Sequence, residues 1–187
     1  MISGILGFVF DIVFLLFGIA LILRAWAYAI RLHPFNPYSQ AIIRLTDWMV
    51  QPMRKLVAPR GKLDLPSLIA CWLTAFIYLL ATWMVLTGQL PMVQSLLPTL
   101  LAALLTVLKW TLNLVVWLTL IQAVLSWVNP MAPIMPILHT LTAPLLDPIR
   151  RIMPNLGGLD LSPLVLLVLA QIAMMVVQRF AFAALAI

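Results

Sequence analysis

Residues 46–67 read TDWMVQPMRKLVAPRGKLDLPS, and residues 142–163 read TAPLLDPIRRIMPNLGGLDLSP. The two stretches align without a gap at an offset of 96 residues. The alignment matches Arg54 with Arg150 and Asp64 with Asp160. A long apolar run stands before and after each copy. An internal repeat of this kind fixes the architecture, and here it predicts a membrane hairpin of two helices that has been duplicated.

The composition supports a membrane protein. Hydrophobic residues make up 65% of the chain and charged residues 9%, and the mean hydropathy is +1.14. These values exclude an ordinary soluble domain. The 11 Lys and Arg residues outnumber the 5 acidic residues, which are all aspartates. Most of the cations fall in two loops, so we expect them to set orientation and to contact anionic headgroups, with no nucleic-acid contact.

Four apolar stretches are long enough to cross the bilayer, which takes about 20 helical residues. Backbone groups in lipid must bond within their own segment, so these stretches are predicted to be helices. The predicted fold is therefore an all-α membrane protein with four transmembrane helices. The first repeat covers 1–92 and the second 93–187. The predicted spans are residues 3–31, 66–88, 98–127 and 163–186.

Two long loops, 33–65 and 129–162, connect the helices of each hairpin. Both loops contain Lys or Arg, whereas the link 87–97 contains neither. By the positive-inside rule, both loops are cytoplasmic and both termini lie outside, in the inner (plasma) membrane of a bacterium. Polar and apolar residues alternate at helical steps within each loop, which predicts an amphipathic helix in the interface plane. Internal prolines indicate that these two helices are short or kinked.

Two pairs of cations are the candidate binding residues. Arg54–Lys55 and Arg150–Arg151 occupy matching positions in the two loops. One interpretation is that they anchor anionic headgroups and set topology. The other is that they dock a partner, either a membrane protein, a second copy of the chain or a specific lipid. Asp147 lies within helical reach of Arg150, and Gln51 replaces it in the first repeat.

Polar residues inside the spans form a second group of candidates, because their burial in lipid is costly. Asp11, Lys109 and Arg179 all lie towards the outer leaflet, where Asp11 is expected to pair with Lys109 or Arg179, or the charged side chains extend to the outer interface. The alternative is a proton or ion path. Arg24 is close enough to the inner interface to extend to the headgroups. The polar candidates of the spans are Asp11, Lys109, Asn113 and Arg179.

Small and polar residues indicate where the helices contact one another. Gly4, Asp11, Gly18 and Ala25 recur every seven residues and suit close packing of the first span. A milder polar stripe on the second span is expected to join helices; it comprises Ser67, Cys71, Thr74, Tyr78 and Thr82. Asp64 with Ser67, and Asp160 with Ser162, mark the start of the second helix of each hairpin, where an Asp or Ser side chain is expected to cap free amides.

No motif for catalysis or for a cofactor is present. The sequence contains no C-x-x-C-H, Walker loop or H-E-x-x-H. His33 and His139 do not occupy matching repeat positions and have no nearby carboxylate or cysteine cluster. We therefore predict no catalytic residue, no metal ligand and no cofactor.

The string from Pro148 to Pro163, PIRRIMPNLGGLDLSP, resembles the signature of the YggT/YlmG family of small membrane proteins. The segments Asn36–Ser39 and Pro52–Lys55 resemble the first half of that family. The resemblance implies a non-enzymatic membrane protein. Bacterial relatives are linked to osmotic and extracytoplasmic stress and to cell-division gene neighbourhoods. Chloroplast relatives are linked to cytochrome b heme assembly and to nucleoid distribution.

Two functions from different classes are therefore considered. The first is an envelope-stress or membrane-assembly factor that acts through its two basic cytoplasmic loops. The alternative is an oligomeric channel or transporter component with a polar path through the span residues named above. Solute flux in liposomes that Lys109→Ala abolishes would favour the channel.

Overall fold

The computed structural model describes residues 2–32, 36–89, 93–152 and 160–185. These residues form six α-helices, and no strand occurs among them. Four helices are long and apolar enough to cross a membrane, over Gly4–Ala29, Leu65–Thr87, Leu96–Val128 and Ser162–Ala181. The predicted all-helical class with four apolar helices is confirmed. The helices are α1 (Ile2–Ala29), α2 (Pro37–Leu56), α3 (Leu65–Thr87), α4 (Val93–Val128), α5 (Met135–Ile152) and α6 (Ser162–Leu185).

The chain forms two compact units. The first comprises Met1–Thr111 with Val177–Ile187, and the second comprises Leu112–Val176. Both α4 and α6 therefore contribute residues to each unit. The division into repeats 1–92 and 93–187 describes the sequence and stays a prediction.

Close helix packing in the first unit depends on small residues. Helix α1 packs against α2 and α3, and Gly18 and Ala25 are buried on α1. A Cβ atom at Gly18 would lie 2.2 Å from Cε3 of Trp110. Gly4, one member of the same seven-residue series, has open space around it. The small-residue stripe therefore gives close contact only in the second half of α1.

The polar stripe of α3 connects this helix to α1 and α2, in line with the prediction that it joins helices. The Cys71 thiol donates to the Gly18 carbonyl on α1 at 3.8 Å. The Thr74 hydroxyl lies 3.3 Å from the sulfur of Met49 on α2. Polar side chains at these positions strengthen helix contacts in a membrane without requiring a substrate.

The prolines predicted that α2 and α5 are short or kinked, and neither helix is short. Helix α2 continues through Pro52 over 20 residues, and α5 continues through Pro144 and Pro148 over 18 residues. Each proline removes only one backbone donor. Each helix also buries one face, which includes Val50 in α2 and a larger set in α5. Packing of a buried face therefore maintains the helix, as it does for most helices in proteins.

A tight turn leads into α3 and positions Asp64. Arg60 and Leu63 exchange backbone hydrogen bonds of 3.1 and 2.9 Å, and Gly61 between them has a positive φ of 59°. The side chain of Asp64 makes no capping hydrogen bond to the helix. The predicted Asp64 cap is absent: Pro66 removes the donor at the second helical position, and Asp64 does not bond to the Ser67 amide at the third. One Asp64 oxygen instead accepts the Ser67 hydroxyl at 2.6 Å.

Candidate functional site

Arg24 is buried inside the first unit. It is 5% exposed, and its Nη1 donates to the Thr46 hydroxyl at 2.8 Å. Its Nη2 forms an ion pair with Asp47 at 2.8 Å. The guanidinium forms charge-assisted hydrogen bonds with α2. That Arg24 also reaches the headgroups stays a prediction.

The second unit contains a related contact built on an uncharged residue. Thr142 donates its hydroxyl to Oε1 of Gln122, which is buried on α4. The Gln122 amide nitrogen lies 3.0 Å from Nδ1 of His139. In each unit, then, a buried polar side chain of the preceding long helix contacts a threonine of the loop helix. The sequence contained one signal for this arrangement, since Thr46 and Thr142 are identical across the repeat.

Thr142→Val is expected to lower the free energy of unfolding by about 1–2 kcal/mol, because it leaves the buried Gln122 oxygen without a donor. The measurement is an SDS titration in mixed micelles followed by circular dichroism. Thr140→Val is the matched control, since exposed Thr140 donates only to the Pro136 carbonyl. It should change stability by no more than about 0.5 kcal/mol. Equal effects of the two variants would contradict the role given to Gln122.

The two basic pairs end the two loop helices. Arg54 and Lys55 lie in the last turn of α2, and Arg150 and Arg151 lie in the last turn of α5. Cations at this end of a helix interact favourably with its unpaired carbonyls. The next side chain is apolar and exposed in each case, with Leu56 77% and Ile152 84% exposed. We call the segments 54–56 and 150–152 the basic triplets.

The second basic triplet is held by two aspartates. Nη2 of Arg150 lies 2.8 Å from Asp160, and its Nη1 lies 3.4 Å from Asp147. Partial burial acts to raise the pKa of Asp160, but hydrogen bonds from Ser162 and Arg150 and the Arg150 charge outweigh it. The net effect is a pKa below the ordinary value. In the first unit, Gln51 stands at the repeat position of Asp147. The first triplet therefore lacks the ion pair that Asp147 forms with Arg150.

Asp11 forms a hydrogen bond with an uncharged residue, Tyr78, which was not among its expected partners. Its Oδ1 accepts the Tyr78 hydroxyl of α3 at 2.7 Å. The rings of Phe14 and Trp110 lie 5.6 and 5.8 Å from the Tyr78 ring. Arg179 is exposed on α6. The ion pair of Asp11 with Lys109 or Arg179 stays a prediction.

Asn113 belongs to the second unit, where its amide lies 4.0 Å from the sulfur of Met174. Within the described part of the chain, no three histidine, cysteine or acidic side chains come together as metal ligands. Each unit thus has a buried polar contact and a basic triplet of its own; Arg150 is half-buried, and the other triplet residues are exposed.

A family model described as CCB3/YggT matches residues 3–85 and again residues 101–181. The chain belongs to the CCB3/YggT family. Each matched segment contains an apolar helix, a loop helix that ends in a basic triplet, and a second apolar helix. No solved structure matches this CCB3/YggT chain.

Several YggT-family relatives resemble this chain over most of its length. Uncharacterized protein YggT of Escherichia coli K12 is 34% identical over 165 residues, which cover 88% of this chain and 84% of that protein. An uncharacterized protein of the proC 3′ region in Vibrio alginolyticus is 34% identical over 169 residues and 90% of both chains. Uncharacterized protein PA0392 of Pseudomonas aeruginosa is 31% identical over 170 residues, 89% of this chain and 85% of that protein. None of these names assigns an enzyme activity.

Proposed function

We propose that this YggT-family chain is a non-enzymatic protein of the bacterial inner membrane. It supports membrane assembly and tolerance of osmotic stress by docking a membrane-protein partner. The partner contacts the two basic triplets on the cytoplasmic side of the bilayer. The observation that carries this proposal is that both loop helices end on two cations followed by an exposed large apolar side chain.

The pairing of Arg150 favours a protein partner over a general attraction to lipid. Attraction to an anionic surface is worth about 1 kcal/mol per cation and requires no fixed geometry. Arg150 is held by Asp147 and Asp160, so less rotamer freedom is lost when a partner binds it. Arginine is also among the residue types that often dominate binding energy in protein interfaces.

The duplicated hairpin and the cytoplasmic orientation are part of the proposal. The two matches to the family model, at 3–85 and 101–181, support the duplication. Lys and Arg are present in both long loops and absent from the link 87–97. This distribution supports cytoplasmic loops with both termini outside.

Site-specific crosslinking in cells tests the docking role. A photoreactive amino acid replaces Leu56 or Ile152, and the proteins joined to the chain are compared with and without the neighbouring cations. Arg150→Ala/Arg151→Ala should lower the yield of a discrete crosslinked protein at Ile152 about tenfold, which corresponds to about 1.4 kcal/mol. Arg54→Ala/Lys55→Ala should do the same at Leu56. The same variants should fail to restore growth at high osmolarity in a strain that lacks the gene.

Arg60→Ala/Lys62→Ala provides the matched control, because it removes two exposed cations from the same loop outside the triplet. It should leave crosslinking and growth unchanged when the protein is equally abundant. Crosslinks to lipid alone, or protein crosslinks that the triplet variants do not alter, would contradict the proposal.

A further inference from the structure

A cavity of about 100 Å³ lies in the first unit, between the end of α1, helix α2 and the residue before α3. One water molecule needs only about 10–15 Å³ by this measure of volume. The cavity therefore has room for a group of several heavy atoms. Its walls are partly apolar, including Tyr28 and Leu32, and partly polar. The polar side chains are those of Arg24, Ser39, Arg54 and Asp64.

Two polar side chains that line this cavity each have a buried atom without a partner. Ser39 is 6% exposed and Asp64 is 1% exposed. The Ser39 hydroxyl and Oδ1 of Asp64 are buried without a hydrogen bond. Each buried group left in this way costs about 1–3 kcal/mol, and a charged group costs more. Because both residues line the cavity, a ligand with N–H donors would satisfy them.

Arg24 and Arg54, the two arginines that line the cavity, can bind the anionic part of a ligand. Nη2 of Arg24 donates one hydrogen bond to Asp47. Nη1 donates to the Thr46 hydroxyl and to the Ile43 carbonyl. A guanidinium has five N–H donors, so others remain available. Arg54 forms no ion pair with any carboxylate of the described residues. An arginine pair of this kind suits phosphate oxygens.

The cavity is thus lined by a carboxylate that lacks a hydrogen-bond donor and by two guanidiniums that can donate hydrogen bonds. It also lies beside the end of the apolar segment of α1, which finishes at Ala29. Headgroups occupy the zone directly outside the hydrocarbon core. We propose that the cavity binds the headgroup of phosphatidylethanolamine, with its primary ammonium at Asp64 and Ser39 and its phosphate at Arg54 and Arg24.

The chemistry of other headgroups explains why this lipid fits. A choline headgroup has the same charges but carries three methyl groups in place of the N–H donors, so Asp64 would stay without a hydrogen bond. A glycerol headgroup has no cation to neutralise Asp64. This inference rests on the membrane placement in the proposed function, but it requires no protein partner.

Lipid retention by the full chain tests the site. The purified protein is placed in nanodiscs of phosphatidylglycerol mixed with either phosphatidylethanolamine or phosphatidylcholine. It is then transferred to mild detergent, and bound lipid is counted by native mass spectrometry. The wild type should retain phosphatidylethanolamine about tenfold more than phosphatidylcholine, equivalent to about 1.4 kcal/mol. Asp64→Asn and Ser39→Ala should each abolish this preference, and Asp160→Asn, at the matching repeat position, should keep it.

A measurement of thermal stability distinguishes loss of lipid binding from loss of folding. Without phosphatidylethanolamine, Ser39→Ala should raise the thermal midpoint, since it removes an unpaired buried hydroxyl. With the lipid present, the variant should be stabilised less than the wild type. Arg150→Ala/Arg151→Ala separates the two proposals, because it should remove the protein crosslink and leave lipid preference intact.

Three results would overturn the lipid site. The first is equal retention of the two lipids by the wild type, which would indicate a cavity filled by water. The second is a preference that survives in both Asp64→Asn and Ser39→Ala. The third is binding of soluble phosphoethanolamine, offered without lipid, as tightly as the lipid itself, which would indicate a soluble zwitterion as the natural ligand.

Discussion

Asp47→Ala is expected to lower the free energy of unfolding by about 3 kcal/mol, because it leaves the guanidinium of Arg24 without its counter-charge. Removing one partner of a buried ion pair costs about 3–5 kcal/mol. The low end applies here, since the side chain of Arg24 is 4% exposed but that of Asp47 is 35% exposed. The measurement is SDS titration in mixed micelles, with helix content as the signal.

Two further variants decide whether the effect comes from the ion pair. Adding Arg24→Met to Asp47→Ala should recover most of the lost stability, because replacing both partners of a buried pair with apolar groups is often neutral. Asp147→Ala removes the more exposed of the two aspartates that pair with Arg150. The side chain of Arg150 is 36% exposed and that of Asp147 is 54% exposed. Its cost should be at most about 1 kcal/mol. Equal losses for Asp47→Ala and Asp147→Ala would contradict the buried role of Arg24.

Gly18→Val is expected to lower the free energy of unfolding by about 3 kcal/mol. A Cβ atom at this position would lie 2.2–2.8 Å from three atoms of the Trp110 ring, and the ring is part of a buried side chain. Adding carbon atoms to a filled core forces side chains or backbone to shift, typically at about 1–3 kcal/mol. The same titration measures this loss.

Gly7→Val is the control on the same helix, because nothing lies within 4 Å of a Cβ atom there. We expect a change of no more than about 0.5 kcal/mol. Trp110→Leu should reduce the penalty of Gly18→Val in a double variant, since the two side chains contact each other. Independent, additive effects at positions 18 and 110 would show that the close contact does not limit packing.

Periodicity and hydropathy were sufficient to predict the helical class and the four long apolar helices. Both follow from length and composition, which depend on no particular neighbour. The polar stripe of α3 was also predictable, because residues three or four apart share a helix face. What a stripe contacts depends on which helices pack together, so the bond from Tyr78 to Asp11 was not foreseen.

The errors have a common physical origin in local rules that tertiary contacts override. The partners of Arg24 are Thr46 and Asp47 of α2, which the sequence of the first span alone could not indicate. Asp64 was expected to cap α3, but its side chain accepts the Ser67 hydroxyl and bonds to no backbone amide of the helix. Helix α2 continues through Pro52 because one of its faces is buried.

The lipid cavity could not have been predicted from the sequence. Its polar side chains come from α1, α2 and the residue before α3. They share no motif and no common spacing. Unpaired burial of Ser39 and Asp64, the feature that indicates a ligand, exists only in the folded unit.

The orientation of the two loops tests the central claim most directly. In a Cys71→Ala background, which contains no other cysteine, single cysteines replace Ala58, Met131 or Gln89. All three positions are exposed and uncharged, so the charge balance of the loops is preserved. A thiol reagent that cannot cross the membrane is applied to intact spheroplasts and to permeabilised ones. We predict labelling at position 89 in intact spheroplasts, and at positions 58 and 131 only after permeabilisation. Labelling at position 58 or 131 in intact spheroplasts would contradict the account.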